Sequence, residues 1–415
     1  MVTKYDIFLY LGDKDTEVKT HEIMKYFKKR PYEYSNVYRL LSNLVKAKLA
    51  AKTKQGFQVK LSGRSQLLYK LITYCVSHGI NYNYLVDRCF AEFIGKTLIK
   101  IEFTAKDFDI DPKTFKKYTD ILFRYGLIVK VSQKPFKARI YCNPLFSNLL
   151  QYFGLPVLVK KEKKTDLLRP IKAELQKFNR NVSKNERAFR RIIEEYELRF
   201  IHSSLSLEGN PITLPDTIKI LKDKIIPKDI KAADVEEIQN YQIALKSMMG
   251  DAVRGNMLSK EKILNFHFLA MRHKPEIAGK IREIPVRIKG NPNFKIASEN
   301  KIEKLFAGLV EEYDSFVSKK RDVKDVLDFA AYFHNQFQFI HPFVDGNSRI
   351  TRLVTFHLLQ YFKIPILDIP LGLLDQYLSN TKAYKRRDDA ALQKTLQHIV
   401  LYNLKSINEK LLRTE

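Results

Sequence analysis

The sequence predicts a mainly α protein in two parts: an all-helical half after about residue 186 that carries one β-hairpin, preceded by two helix-turn-helix units, each closed by its own hairpin. Three observations predict it. Apolar residues recur at helical spacing through most of the chain. Short alternating segments near the N-terminus are bracketed by turn residues and follow basic helices. The 415 residues exceed what one core absorbs, so two or three domains are expected.

The first unit spans residues 1–64. Lys4 to Leu11 is a short apolar helix, Thr20 is placed to cap a second through Ile23, Met24 and Phe27, and Pro31 closes it. Ser35 can cap a third, whose apolar positions Val37, Leu40, Leu41, Leu44, Val45 and Leu49 share one face while Tyr38, Arg39, Asn43, Lys46 and Lys48 occupy the other. Leu49 to Thr53 and Phe57 to Leu61 then flank the turn Lys54, Gln55, Gly56. A helix-turn-helix with a basic third helix and a basic wing is the geometry that presents side chains to a major groove while the wing tracks phosphate.

The pattern recurs over residues 65–155. Two apolar helical stretches, Ser65 to Val76 and Tyr82 to Ile94, precede a helix started by Asp111 and Pro112, with Phe115, Tyr118, Leu122 and Tyr125 on one face and Gly126 at its end. Leu127 to Val131 and Ala138 to Cys142 flank a second basic hairpin, Ser132 to Lys137. Both units are winged-helix-like. Residues 156–185 read as a basic, partly helical linker, and 186–415 as the helical domain. Within that domain Ile281 to Ile296 is a hairpin signal: Ile284, Val286 and Ile288 alternate before the turn residues Gly290, Asn291, Pro292 and Asn293.

Charge follows this division. The chain carries 73 Lys+Arg against 46 Asp+Glu, a net +27. Residues 1–150 hold 27 basic and 13 acidic side chains, or +14, and the other 265 residues hold 46 and 33, or +13. Lys160 to Arg191 alone has 12 basic and 4 acidic. An excess so placed favours a polyanionic partner, with DNA bound through residues 1–155 as the expectation. No run approaches the about 18 apolar residues of a membrane span, and Met1 to Tyr10 lacks the order of a signal peptide, so a cytoplasmic protein without a membrane partner is expected. Cys75, Cys89 and Cys142 form no CxxC pair, which leaves neither a zinc site nor a disulfide framework.

The stretch that carries chemistry is His341-Pro-Phe-Val-Asp-Gly-Asn-Ser-Arg-Ile-Thr-Arg352. Apolar faces before it (Val326, Ala330, Phe333, Phe337, Ile340) and after it (Ile350, Leu353, Val354, Leu358, Tyr361) pin the loop between two core helices. Gly346 and Asn347 open the second helix, so their N–H groups and those of Ser348 and Arg349 form an anion-binding nest. Arg349 and Arg352, three apart, can approach one ligand together. Asp345 offers a hard oxygen to Mg²⁺ beside bound phosphates, and His341 has the chemistry of a general base near neutrality. Base, metal ligand and phosphate cradle add up to phosphoryl or nucleotidyl transfer.

These residues resemble the signature of Fic (Fido) domains, H-x-F-x-[DE]-G-N-G-R-x-x-R, matched at His341, Phe343, Asp345, Gly346, Asn347, Arg349 and Arg352. The sequence departs at Ser348, where the family usually has Gly; serine keeps the N–H and adds a Cβ and hydroxyl near the phosphates. Ser204-Leu-Ser-Leu-Glu208-Gly209 resembles the family's inhibitory motif, [ST]-x-x-x-E-[GN], placed N-terminal to the catalytic motif. The resemblance covers roughly residues 186 to 405. It implies that Glu208 pairs with Arg352 and blocks the productive position of an ATP γ-phosphate. It also implies that Ile281 to Ile296, with Gly279, Arg282, Val286 and Ile288, is the flap that aligns a target protein, although Ala297 and Ser298 replace the usual proline pair. Asn380 and Tyr384 resemble the family's Asn and Tyr near adenine and ribose.

The activity so implied is protein AMPylation, with ATP and Mg²⁺: AMP moves to a Ser, Thr or Tyr hydroxyl of a target protein or of the chain itself, and Glu208 keeps the resting enzyme slow. An alternative is a DNA-binding transcriptional regulator whose Fic half senses nucleotide or modifies itself. Transfer of another phosphate-containing group, or removal of AMP, fits the same residues, and the reading leaves room for a homodimer.

Overall fold

A computed structural model describes residues 2–14, 16–159, 166–288, 294–365, 368–382 and 388–413. In chain order the elements begin with α1 (Lys4–Gly12), α2 (Thr20–Tyr26), α3 (Tyr34–Lys46), β1 (Ala51–Lys52), β2 (Phe57–Gln58), α4 (Gly63–Ser77) and α5 (Arg88–Lys100). They continue with β3 (Glu102–Phe103), α6 (Pro112–Arg124), β4 (Ile128–Gln133), β5 (Phe136–Ile140), α7 (Pro144–Tyr152), α8 (Leu168–Lys184), α9 (Glu186–Ser206) and α10 (Leu214–Ile218). The rest are α11 (Ala232–Val253), α12 (Lys260–Ala270), α13 (Ile302–Val317), α14 (Val323–Ile340), α15 (Asn347–Tyr361), α16 (Leu374–Lys382) and α17 (Asp389–Leu412). The mainly α expectation holds, and the chain forms two compact units: Met1–Ile101 with Cys142–Lys161, and Glu102–Tyr141 with Glu162–Glu415.

In the first unit α1, α2 and α3 bury Ile7, Phe8, Leu11, Ile23, Leu41 and Leu44. β1 and β2 pair antiparallel, Ala51 with Gln58 and Lys52 with Phe57, and Val18 bridges to Phe57 from the other side. Gly56 permits that approach, because a Cβ there would lie 2.4 Å from the Val18 carbonyl oxygen. α3 starts one residue before the expected cap Ser35, and Pro31 opens a 3-10 turn leading into it. The stretch Tyr82 to Ile94 is not one helix: Asp87 accepts a hydrogen bond from the Phe90 N–H at 2.9 Å and starts α5 afresh.

The grouping differs from the expected boundaries in two places. Residues 65–155 divide, with α4, α5 and α7 in the first unit, while β3, α6, β4 and β5 join the helices that follow. Lys130 of β4 binds Glu409 of α17 at 2.9 Å, a tie between residues 279 apart that helical periodicity cannot reveal. Much of the expected linker is α8, which buries Ile171, Glu174 and Phe178. The Glu174 carboxylate accepts from Lys405 at 3.1 Å and from Asn408 at 3.0 Å on α17.

In the second unit β3, β5 and β4 form an antiparallel sheet in that order. α14, α15 and α17 form the core, with Ala330, Phe337, Ile350, Leu353, Ile399 and Leu404 fully buried. α15 is buried along nearly its whole length, from Asn347 to Leu359. The helix that begins at the conspicuous loop is therefore fixed on all sides. Leu353→Ala, at 0% exposure, should lower the unfolding free energy of this unit by about 3 kcal/mol in a urea titration. A loss below about 1 kcal/mol would contradict the packing.

Candidate active site

The loop begins where α14 stops. His341 caps the helix in the left-handed region (φ 50°, ψ 59°), its N–H still donating to the Phe337 carbonyl at 2.9 Å. A non-glycine residue held there stores about 1–3 kcal/mol of strain, which the surroundings must offset. Arg282, 3% exposed, supplies much of that support. Its Nε donates to the His341 carbonyl at 2.8 Å, its backbone N–H to the Pro342 carbonyl at 2.9 Å, its Nη1 to Ile284 O at 2.9 Å and its Nη2 to Ala297 O at 2.6 Å. One buried guanidinium thus binds the base of the Ile281 to Ile296 segment to the loop. Among the described residues of that segment no strand forms, and the turn residues Gly290, Asn291, Pro292 and Asn293 lie outside them.

Asn347 closes the loop from its far side, with Oδ1 accepting from the Phe343 N–H at 2.9 Å and Nδ2 donating to the Phe343 carbonyl at 2.7 Å. The Phe343 ring is buried against His267, ring centroids 3.7 Å apart and planes 4° from parallel. Gly346 is the N-cap of α15 at φ 82° and offers no side chain to the helix end. The N–H groups of Asn347, Ser348 and Arg349 are therefore the orphan donors of a helix N-terminus, aimed where an anion would sit. A Cβ on Gly346 would lie 3.0 Å from Met271 Sδ and 3.3 Å from His267 Nε2.

His267 of α12 fixes this turn. The Gly279 N–H donates to Nδ1 at 2.9 Å, so the ring proton resides on Nε2, which donates to the Asp345 carbonyl at 3.0 Å. Burial depresses its pKa to about 4, and the ring stays neutral in the tautomer that both bonds need.

Carboxylates and cations alternate around the loop. Burial alone would raise the Asp345 carboxyl, but the Arg349 guanidinium, the Lys274 ammonium and the Gly346 N–H outweigh it and hold the pKa at about 2. Its Oδ1 accepts from Gly346 at 2.6 Å and from Arg349 Nη2 at 3.0 Å, and its Oδ2 from Lys274 at 2.6 Å. Arg349 Nη1 also binds Glu237 of α11. Arg352, 1% exposed, donates from Nε to Ser204 Oγ at 2.7 Å and from Nη2 to the Ser204 carbonyl and to Glu208 Oε1, both at 2.9 Å. Burial would lower the Arg352 pKa, yet the Glu208 carboxylate outweighs that and holds it above its ordinary value. Ser204 Oγ continues to the Tyr241 hydroxyl at 2.8 Å, which donates to the Arg349 carbonyl at 3.3 Å.

His341, Asp345, Gly346, Asn347, Ser348, Arg349 and Arg352 thus share one loop and the first turns of α15, and Ser204 and Glu208 reach it from the end of α9. Asn380 donates to Ala391 O at 3.3 Å and Thr395 Oγ1 at 2.8 Å, tying α16 to α17, and Tyr384 lies outside the described residues. Glu237, Lys274 and His267 were invisible to motif reading, because each reaches the loop only through packing. Among the described residues no cluster of three or more His, Cys, Asp or Glu side chains is placed to hold a metal. A lone ionised carboxylate still fits Mg²⁺ that arrives with phosphates, since that ion commonly takes one or two carboxylates and substrate oxygens. Asp345 meets that requirement once Lys274 yields Oδ2.

Residues 257–359, the segment that runs from just before α12 into α15 and contains the loop, match the model of the Fic/DOC family. Proteins named Protein adenylyltransferase Fic are similar to it: 24% identical over 280 residues in Drosophila grimshawi, covering 63% of this chain and 54% of that protein. The protein of that name from Drosophila willistoni is 27% identical over 274 residues, covering 63% and 53%, and that from Nematostella vectensis 24% over 244 residues, covering 57% and 56%. The chain spans about half the length of the curated relatives it matches. A Fic domain containing signaling protein from Bacteroides thetaiotaomicron shares the fold, with TM-score 0.50 and 23% identity over 59% of this chain and 94% of that one.

Gly346→Ala combines a strained φ with a contact against Met271, and should cost about 1–2 kcal/mol in chemical denaturation. Unchanged stability would mean that the turn tolerates a side chain.

Proposed function

We propose that the protein is a protein adenylyltransferase that moves AMP from ATP to a hydroxyl side chain of a protein and that rests in an inhibited state. The observation that supports this best is the buried Arg352 guanidinium, held by Glu208 and Ser204 beside a helix N-terminus to whose amides the N-cap, Gly346, offers no side-chain acceptor. A site with such amides and a second cation takes a polyphosphate, and a carboxylate on that cation competes with the outermost phosphate.

In this reading His341 removes the proton from a Ser, Thr or Tyr hydroxyl of the target. The oxygen forms a bond to the α-phosphorus as the bond from that phosphorus to the β-bridging oxygen breaks, and pyrophosphate leaves. The N–H groups of Asn347, Ser348 and Arg349 hold the inner phosphates through the step, and Arg352, released by Glu208, holds the outer one. The Asn347 side chain contributes by keeping the loop closed, since both its polar ends bind Phe343. Asp345 would hold Mg²⁺, which supplies positive charge to the departing pyrophosphate.

His341→Ala should cut transfer of label from α-labelled ATP to protein by about 10²-fold or more, read by gel autoradiography; full transfer would remove the base assignment. Glu208→Gly should raise transfer by about tenfold or more, and an unchanged rate would remove the inhibitory role.

A second activity is favoured by α3, whose exposed stripe is Asn36, Arg39, Asn43 and Lys46. The order of helices and bridges in the first unit supports a winged-helix-like reading, in which this stripe faces DNA bases and the wing faces phosphate. Retardation of duplex DNA by the full chain should weaken steeply between about 50 and 200 mM salt. Absent retardation would assign the first unit to protein contact.

A further inference from the structure

The two motif arginines are both occupied by carboxylates, and the second carboxylate has a partner that connects them. Glu237 binds Arg349 through Oε1, while its Oε2 accepts from Asn210 Nδ2 at 2.8 Å. Asn210 lies two residues past Glu208 in the turn that follows α9. That side chain is 8% exposed and is spent on the turn: Nδ2 also reaches the Asp234 carbonyl at 3.2 Å, and Oδ1 accepts from the Ile212 N–H at 3.1 Å. α11, the helix that carries Glu237, therefore holds the inhibitory turn from one side and the phosphate cradle from the other.

The arginine it holds is otherwise committed as well. Arg349 Nη2 goes to Asp345 and Nη1 to Glu237, its side chain is 5% exposed, and its Nε is a buried donor that meets no acceptor among the described residues. An incoming phosphate drawn to this guanidinium would compete with the carboxylates on its Nη atoms, and Glu237 is the one with no place in the proposed chemistry.

We propose that Glu237 is a positioning residue that sets the inhibitory turn: by holding Asn210 it keeps Glu208 on Arg352, and by holding Arg349 it withholds the second cation from nucleotide. The two carboxylates then act as one device. A nucleotide whose phosphates draw Arg349 from Glu237 also loosens the turn that delivers Glu208, so release at one arginine favours release at the other. This rests on the reading that Glu208 inhibits nucleotide use.

Glu237→Gln removes the charge and keeps the shape, and Asn210→Ala breaks only the turn side of the link. Calorimetric titration of the full chain with ATP and Mg²⁺ should show each variant binding ATP about fivefold or more tighter than the unaltered protein. In a Glu208→Gly background, where the delivered carboxylate is gone, Asn210→Ala should add less than twofold. The proposal is overturned if Asn210→Ala leaves ATP affinity unchanged while Glu208→Gly raises it, or if Glu237→Gln weakens ATP binding in both backgrounds, which would make it a support of the cradle alone. A failure of Glu208→Gly itself to raise ATP affinity would instead strike the underlying reading. Thermal unfolding of each variant, compared with the unaltered protein, separates a released turn from a collapsed one: a released turn keeps a single transition and gains stabilisation from ATP.

Discussion

A guanidinium at 1% exposure cannot remain without a counter-charge, and the arrangement around Arg352 follows from that constraint. Its position is set by α15, which is buried from its first residue, so the charge cannot swing into solvent. Some anion must meet it in place. In the structure that anion is Glu208, helped by two hydrogen bonds from Arg352 to Ser204. Removing one member of a buried pair typically costs about 3–5 kcal/mol because the survivor is left uncompensated. The site is therefore stable with an anionic group on Arg352, which Glu208 supplies here.

The loop before α15 is rigid for different reasons at each end. At His341 the backbone is left-handed and is held by Arg282, which also holds Ala297 and Ile284. At Gly346 the backbone is again left-handed, and Met271 and the neutral His267 ring crowd the space that a Cβ would take. Between them Phe343 stacks on the same imidazole. His341 at one end and the orphan amides at the other are thus fixed by side chains of other elements, which is the preorganisation that the proposed transfer would require.

The loop from His341 to Arg352 was legible in the sequence because its residues are contiguous: spacing alone puts Gly346, Arg349 and Arg352 on the first turns of one helix. Ser204 and Glu208 were legible only through a family resemblance, since nothing in residues 204–209 says that they meet Arg352, which is 144 positions from Glu208. Glu237 was not legible. It sits 112 positions from Arg349 and beside the apolar stripe of α11, where a carboxylate reads as a solvated flank. The density of lysine in residues 160–191 hid α8, whose stripe of Ile171, Glu174 and Phe178 contains a buried acid that breaks the apolar pattern. Unit membership escaped for a similar reason: periodicity identifies the buried face of a helix and says nothing of its neighbour.

If Arg352 exchanges the Glu208 carboxylate for the outermost phosphate of ATP, inhibition must depend on that phosphate. The measurement that tests this most directly is calorimetric titration of the unaltered chain and Glu208→Gly with ATP and, separately, with ADP. ATP affinity should rise on substitution by about tenfold more than ADP affinity. An equal rise for both nucleotides would contradict the account, because the carboxylate would then be excluding nucleotide without competing for Arg352.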